Sequence, residues 1–593
     1  MHGAGPMLVL AGPGSGKTFV ITRRILHLIK QHHVSPESIL VITFTRAAAL
    51  EMKTRFLSLC DGEFLPVQFG TFHAVFFNIL KEKFHYSASD ILQKTEKLKI
   101  LSDVVRLEQI KIPTRDEVLD HLLDEFSTMH NQGKNLSDFS SLILEHDDFC
   151  KLYHAYSQRN EMLGKLDFDN MVIQCHKLLN AEKDVLTKWQ KTFSYILIDE
   201  FQDISPMQYD IVKKLAKPEN NLFVVGDDDQ SIYGFRGACP DMMFQFLKEF
   251  ENCKQILLNI NYRCSGNIVN AAGMVIEDNV NRFPKQIVPK NPKGAPVQLI
   301  RAFDKSMEYQ KLADCLMEEK KKNNLMNCAI ICRTSQDFAY ISLFLKQKGI
   351  ECFSRERKKR ILKDEVFLDI SAYLELIKGN MSRTYFFRVM NKPLRYIERE
   401  AVGEQVDLEQ LYEHYGNKSY VQKNILILMN DLEKASKLSL TLAINYIRKK
   451  MGYDDYLKKV YQDDPAKQDE KLGICDMIQN MSKECKTIEE WKEIIKASEE
   501  YSDADHQNTK QLMLLTLHGS KGLEFDHVYL MDCNEKNIPH YKARTTQEIE
   551  EERRMFYVGM TRAKKLLYLF YVTGTKDHPI KVSRFLDKIL QLH

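Results

Sequence analysis

No Cys-x-x-Cys pair occurs among the thirteen cysteines, and Cys328 and Cys332 stand closest together. That spacing argues against an iron–sulfur cluster and reads as the reduced, mostly buried thiols of a cytosolic protein. No apolar run is long enough to span a bilayer and the N-terminus lacks a signal-peptide pattern, so a soluble, cytoplasmic protein without membrane contact is expected. Repeats and low-complexity tracts are missing as well, which removes solenoids and long disordered tails. A formal net charge of only +3 gives no global basic excess, so any nucleic-acid surface must be a local groove. What remains is an ordinary globular composition, 44% apolar and 28% charged, in 593 residues. That length is too great for one core and predicts two to four domains.

The chain is organised around Met7 to Thr18, M-L-V-L-A-G-P-G-S-G-K-T. An apolar strand breaks into a glycine-rich turn that opens a helix, the pattern of a phosphate cradle formed by Ala11, Gly12, Pro13, Gly14, Ser15, Gly16, Lys17 and Thr18. The glycines let backbone N–H groups turn inward, Lys17 reaches the outer phosphates and the Thr18 hydroxyl can ligate Mg²⁺. Ala11 replaces the usual first glycine and fits if its φ is negative. A glycine-rich turn between two core elements is the plainer alternative, and the loop alone does not say which NTPase this is.

Further strands are expected at Ser38 to Phe44, Phe193 to Ile198, Asn221 to Val225 and Gln255 to Ile260. Asp199 and Glu200 follow the strand ending at Ile198. Beside a phosphate cradle, Asp199 can hold Mg²⁺ through water and Glu200 can polarise the water that attacks the γ-phosphate. The loop Gly226 to Ala238 carries Gln230, placed for the γ-phosphate or its water, and then Tyr233, Phe235 and Arg236. Phe235 reads as a ring on which a base can stack, although core packing would be the reading of either aromatic in isolation. Thr45, and Thr71 with His73, sit at turns whose hydroxyls suit a polynucleotide backbone; ordinary helix capping accounts for these threonines as well.

A second set of strands is expected at Val297 to Ile300, Cys328 to Cys332, Met513 to Leu517, Val528 to Met531 and Leu567 to Tyr571. The fold class is therefore α/β, with parallel sheets flanked by helices. The predicted organisation is a first motor domain at 1–80 and 166–258 interrupted by a helical insertion at 81–165. A second follows at 259–380 and 507–593, interrupted by a helical insertion at 381–506. Arg263 and Arg562, on the domain without its own P-loop, are candidate arginine fingers supplied in cis across a cleft.

Taken in order, A-G-P-G-S-G-K-T, T-F-T-x-x-A-A at Thr43 to Ala49, G-T-F-H-A, D-E-F-Q-D, V-G-D-D-D-Q-S-I-Y-G-F-R-G-A, N-Y-R, T-L-H-G-S-K-G-L-E-F and Y-V-G-M-T-R-A resemble the UvrD/Rep/PcrA group of superfamily 1 DNA helicases. The resemblance runs from the P-loop to Ser583-Arg584-Phe585-Leu586, with the insertions matching in position only. It implies two RecA-like domains and an ATP-dependent 3′→5′ translocase on single-stranded DNA, acting in repair or replication at single/double-strand junctions. It also implies that Tyr262 stacks on adenine, Glu524 touches the ribose, and Thr45, His73, Phe235, Arg236 and His518 line the DNA track. The alternative is a DNA-stimulated motor subunit or protein-displacing translocase with a repair, nuclease or phage-defence partner.

This sequence departs from the family pattern in places. Relatives usually carry, ahead of the P-loop, a segment whose glutamine reads the adenine edge, and the sequence opens past that point. Phe235 stands where Trp is common, and Tyr396-Ile397-Glu398 replaces a Gly-Ile-Gly turn whose backbone approaches duplex phosphates.

Overall fold

The computed structural model describes residues 2–60, 63–112, 116–131, 136–234, 241–335, 337–354, 361–462, 465–500, 511–574 and 579–591. Contacts divide the chain into two compact units, Met1–Gly294 with Thr546–Thr561, and Ala295–Thr545 with Arg562–His593.

The sheet of the first unit comprises β1 (Met7–Ala11), β2 (Ile39–Thr43), β3 (Gln68–Thr71), β4 (Tyr195–Ile198), β5 (Leu222–Gly226) and β6 (Lys254–Leu258). Its order is β3-β2-β4-β5-β1-β6, and every pairing is parallel. The near-continuous apolar runs of β1, β2, β4 and β5 follow from burial on both faces. Leu8, Leu40, Ile42, Ile196, Ile198 and Val224 pack with Phe72 and Phe76 of the helix Phe72–Phe84 and with Met171 and Cys175 of Phe168–Ala181. The alternate residues Val9, Val41, Leu197 and Val225 pack with Ile21 and Ile25 of Lys17–His32 and with Met52 and Phe56 of Arg46–Ser58. β3 was not legible in the sequence, because an edge strand of four partly exposed residues around Gly70 carries no alternating apolar signal.

Beyond β6 the chain forms the two-residue pair β7 (Ile260–Asn261) and β8 (Val288–Pro289). This segment and the helix Gly266–Ile276 belong by contacts to the first unit, whereas the sequence reading began the second domain at 259. The Thr546–Met560 part of the helix carrying Tyr557 returns to the first unit too, held by Asn279, whose Nδ2 donates to Glu550 O at 3.0 Å.

The second unit has its own parallel sheet of β9 (Gln298–Ala302), β10 (Cys328–Cys332), β11 (Cys352–Phe353), β12 (Leu512–Thr516), β13 (Phe525–Leu530) and β14 (Ala563–Val572). The order is β11-β12-β10-β13-β14-β9. Two parallel sheets flanked by helices are the α/β class expected.

Among their described residues, the stretches 81–165 and 381–506 consist mainly of helices and loops. In the first, Leu101, Leu122, Phe126, Phe149 and Leu152 form a separate core among the helices Lys94–Leu107, Asp116–Asn131 and His146–Met162. In the second, Ile425, Ile444, Ile447 and Trp491 share a core with Phe367 and Ile370 of the helix Glu365–Ile377, so this helical body recruits residues ahead of 381.

Candidate active site

The C-terminal edge of a parallel sheet is where backbone N–H groups and helix N-termini converge, and in the first unit four strands deliver polar residues there. After β1 the loop turns through Gly14 and Gly16, both with positive φ (64° and 87°), and the helix Lys17–His32 starts with Gly16 as its N-cap. Ala11 closes β1 as strand residue and is absent from the positive-φ residues, so the replacement of glycine costs nothing. A Cβ on Gly14 would stand 2.7 Å from the Cβ of Arg263. The loop is thus pressed against the segment after β6.

That segment is sewn to the loop by Asn261. Its Nδ2 donates to Pro13 O at 2.8 Å, and its Oδ1 accepts from the backbone N–H groups of Arg263 and Cys264, each at 2.8 Å. The Tyr262 N–H donates to Gly14 O at 3.0 Å while the ring is 57% exposed, which leaves its face open for an aromatic partner. Arg263 is half-buried and its Nη1 lies 3.4 Å from Thr561 O.

After β4, Asp199 is buried and its Oδ1 accepts the N–H of Glu200 at 3.0 Å. Glu200 has φ 52°, a left-handed conformation costly for a residue with a Cβ and often found at functional sites. Lys17 Nζ stands 3.2 Å from Glu200 Oε2. Burial alone would depress the Lys17 ammonium, but Glu200, Asp227 and Asp199 outweigh it and hold its pKa above the ordinary value. A Thr18 hydroxyl at the start of a helix and a buried Asp199 carboxylate at a strand end are hard oxygen donors, the chemistry Mg²⁺ takes.

After β5 comes a buried polar cluster. Asp227, Asp228 and Asp229 have wholly buried side chains around the equally buried Lys285 side chain. Lys285 Nζ is 2.7 Å from Asp227 and 3.0 Å from Asp229, and it also bonds Asp228. Arg282 takes both oxygens of Asp229 at 2.9 and 2.7 Å, and the Phe283 N–H donates to Asp228 at 2.8 Å. The Asp227 N–H donates to Gln202 Oε1 at 3.0 Å, and Gln202 Nε2 donates to Glu200. Gln230 Nε2 donates to Asp227 Oδ2 at 2.6 Å. Burial drives Asp228 up, whereas for Asp229 the charges of Lys285 and Arg282 overcome burial and drive it down. Sequence reasoning singled out Gln230 but missed Lys285, Arg282, Gln202 and the role of Asn261. Three consecutive aspartates at a buried strand end signal that cations must approach, without saying which ones.

The residues proposed for DNA are distributed over both units. Thr45 and Thr71 act as helix N-caps, accepting from Ala48 N and Ala74 N at 3.1 and 3.2 Å. His73 lies edge-on to Phe168 at 5.2 Å, and burial lowers its pKa, which favours a neutral ring. Tyr233 stacks on Phe44 at 5.4 Å. Phe235 and Arg236 lie outside the described residues. His518 follows β12 in the second unit, as do Glu524, paired with Lys564 at 2.7 Å, and the buried Arg562, whose Nη1 donates to Leu523 O at 3.2 Å.

One further group of metal-type side chains occurs among the described residues, Glu319, Cys328 and His527 in the second unit. Burial pushes the Cys328 thiol up to about 12, and the Glu319 carboxylate already takes Lys322 and Asn324 at 3.0 and 2.8 Å. The trio therefore forms a buried polar cluster beside the central strands β10 and β13.

Residues 1–251 match the UvrD/REP helicase N-terminal domain and residues 256–574 the UvrD-like helicase C-terminal domain. The chain is 32% identical to a putative ATP-dependent DNA helicase, YjcD, of Bacillus subtilis, over 99% of this chain and 79% of that protein. It is 30% identical to the ATP-dependent DNA helicase PcrA of Staphylococcus epidermidis, covering 99% of this chain and 84% of the relative. Identity to the ATP-dependent DNA helicase Rep of Buchnera aphidicola is also 30%, with 96% and 92% covered.

Proposed function

Because the chain belongs to the UvrD/Rep family of ATP-dependent DNA helicases, we propose that it is an ATP-driven 3′→5′ translocase on single-stranded DNA that opens duplexes at single/double-strand junctions in repair or replication. The observation that carries this reading is the convergence of the Gly12–Thr18 cradle, the Lys17–Glu200 pair and the Asn261–Arg263 segment at one edge of a parallel sheet. In this reading Lys17 binds the outer phosphates and Tyr262 the adenine face. Thr18 and Asp199 hold Mg²⁺, which when bound offsets phosphate charge. Glu200 takes the proton of the attacking water, and Arg263 and Arg562 stabilise the charge that develops on the transferred phosphoryl group. Glu524 is assigned to the ribose. Thr45, Thr71, His73, Tyr233, Phe235, Arg236 and His518 are assigned to the DNA strand, with Phe235 as the stacking pawl.

No helix among the described residues is long and apolar enough to cross a membrane, which is compatible with work on DNA in the cytoplasm. A second reading, a motor that needs a repair or nuclease partner, is favoured by the turn at Tyr396. That residue has φ 61°, is 54% exposed and lies edge-on to Tyr420, and Glu398 pairs with Lys418. Rings and a carboxylate there make a poor seat for duplex phosphates.

The test is steady-state ATP hydrolysis with and without single-stranded DNA, followed by unwinding of 3′- and 5′-tailed duplexes. Stimulated turnover with unwinding of 3′-tailed duplex alone is expected. Stimulated turnover without unwinding would favour the partner-dependent motor, and turnover indifferent to DNA would sink both readings.

A further inference from the structure

We infer that Lys285 is a positioning residue for ATP hydrolysis, fixing through Asp227 which face of the Gln230 amide is presented to the nucleotide. The inference rests on the reading of Gln230 as the residue that orients the attacking water.

Burying three adjacent carboxylates is expensive unless each is paired. The Arg282–Lys285 segment supplies two cations and the Phe283 N–H to all three, so the loop after β5 is clasped from outside its own sequence. Asp227 is the hub of the clasp. Its Oδ1 accepts from Lys285 Nζ and from the Asp229 N–H at 3.3 Å, and its Oδ2 accepts from Gln230. Because Asp227 Oδ2 is the acceptor, the Gln230 amide turns Nε2 toward it and Oε1, an acceptor, to the opposite edge. An acceptor orients a water through its O–H, whereas it would repel a phosphate oxygen. The same hub reaches Glu200 through Gln202, whose Oε1 accepts from Asp227 N–H and whose Nε2 donates to Glu200. Lys285 therefore sets the orientation of one water-directing group, Gln230, without touching nucleotide.

Removing the Lys285 charge leaves Asp227 and Asp228 buried without their cation, so the loop must move. Asp227, no longer anchored by Lys285, then has no fixed place from which to hold the Gln230 amide. Lys285→Met is expected to lower kcat for ATP about 10²-fold, the scale of a positioned acid–base or water-orienting group, with KM for ATP changed less than about threefold. Gln230→Ala should do the same. The double variant should be no slower than Gln230→Ala alone, because both substitutions remove one function. If Lys285→Met fails to fold, Lys285→Met with Asp228→Asn removes one charge of each sign and serves in its place.

A kcat within about twofold of the parent, a defect confined to KM, or a double variant slower by the product of the two single effects would overturn the inference. Normal turnover in Gln230→Ala would instead remove the reading of Gln230 on which it rests.

Discussion

Asn261 donates its side-chain amide to the carbonyl of Pro13 at 2.8 Å, tying the segment after β6 to the middle of the phosphate loop across 248 residues of chain. The same side chain holds the N–H groups of Arg263 and Cys264, so one buried residue sets both the loop and the arginine beside it. Asn261→Ala leaves three backbone groups without this partner. A loss of about 2–3 kcal/mol in the stability of the first unit is expected, together with a lower kcat as Arg263 shifts. Denaturant unfolding and ATPase assays check both, and an unchanged midpoint with unchanged turnover would contradict the role given to Asn261.

Gly14→Ala places a methyl at a positive φ and within 2.7 Å of the Arg263 Cβ. The loop must open or Arg263 must retreat. ATP affinity is expected to fall at least about tenfold, corresponding to about 1.4 kcal/mol. Nucleotide titration by fluorescence or calorimetry reads this directly, and parental affinity would show that the loop has slack.

Arg562→Ala is expected to spare ATP binding and slow hydrolysis by about 10³ to 10⁵, the range of arginine fingers. Because Arg562 is buried and bonded to Leu523 O, a thermal melt must accompany the assay. Near-normal turnover in a folded variant removes the assignment.

Glu308, in the second unit, is buried and accepts the Asp532 N–H at 2.8 Å, with Lys305 at 3.6 Å and Asp532 and Asp337 nearby. Burial, opposed by Lys305, pushes its pKa from 4.5 up to about 7. A carboxyl raised on folding contributes stability that is complete below its unfolded value and is lost as pH rises through its folded value. The parent should therefore lose stability relative to Glu308→Gln as pH rises from 4.5 to about 7. Thermal melts across that window decide it; parallel curves for the two proteins would refute the raised pKa.

Much of the molecule was legible because its signals are local. A buried strand, the turn that ends it and the helix that follows are contiguous in the chain, so β1 with its cradle, β4 with Asp199 and Glu200, and β5 with Gln230 could be read from a dozen residues each. Apolar runs buried on both faces marked β1, β2, β4, β5, β10 and β12, and the order of the motifs gave the family.

Short or distant features were not legible. β3 is too short and too exposed to carry a period, and the capping roles of Thr45 and Thr71 depend on where their helices begin. Lys285 lies 58 residues from Asp227, and nothing in its neighbours Pro284 and Gln286 marks it as a buried cation. The same holds for Asn261 and Pro13.

The sequence by itself determined the α/β class, the nucleotide loop and the strand-end carboxylates, since each follows from residue type and spacing along one element. Tertiary structure alone decided that Asn259 to Gly294 packs with the P-loop unit, that Lys285 and Arg282 neutralise the three aspartates, and that Gln202 joins Asp227 to Glu200. Those outcomes depend on which distant charge can be brought into a buried site at hydrogen-bonding distance, a condition set by packing in three dimensions and not by any pattern along the chain.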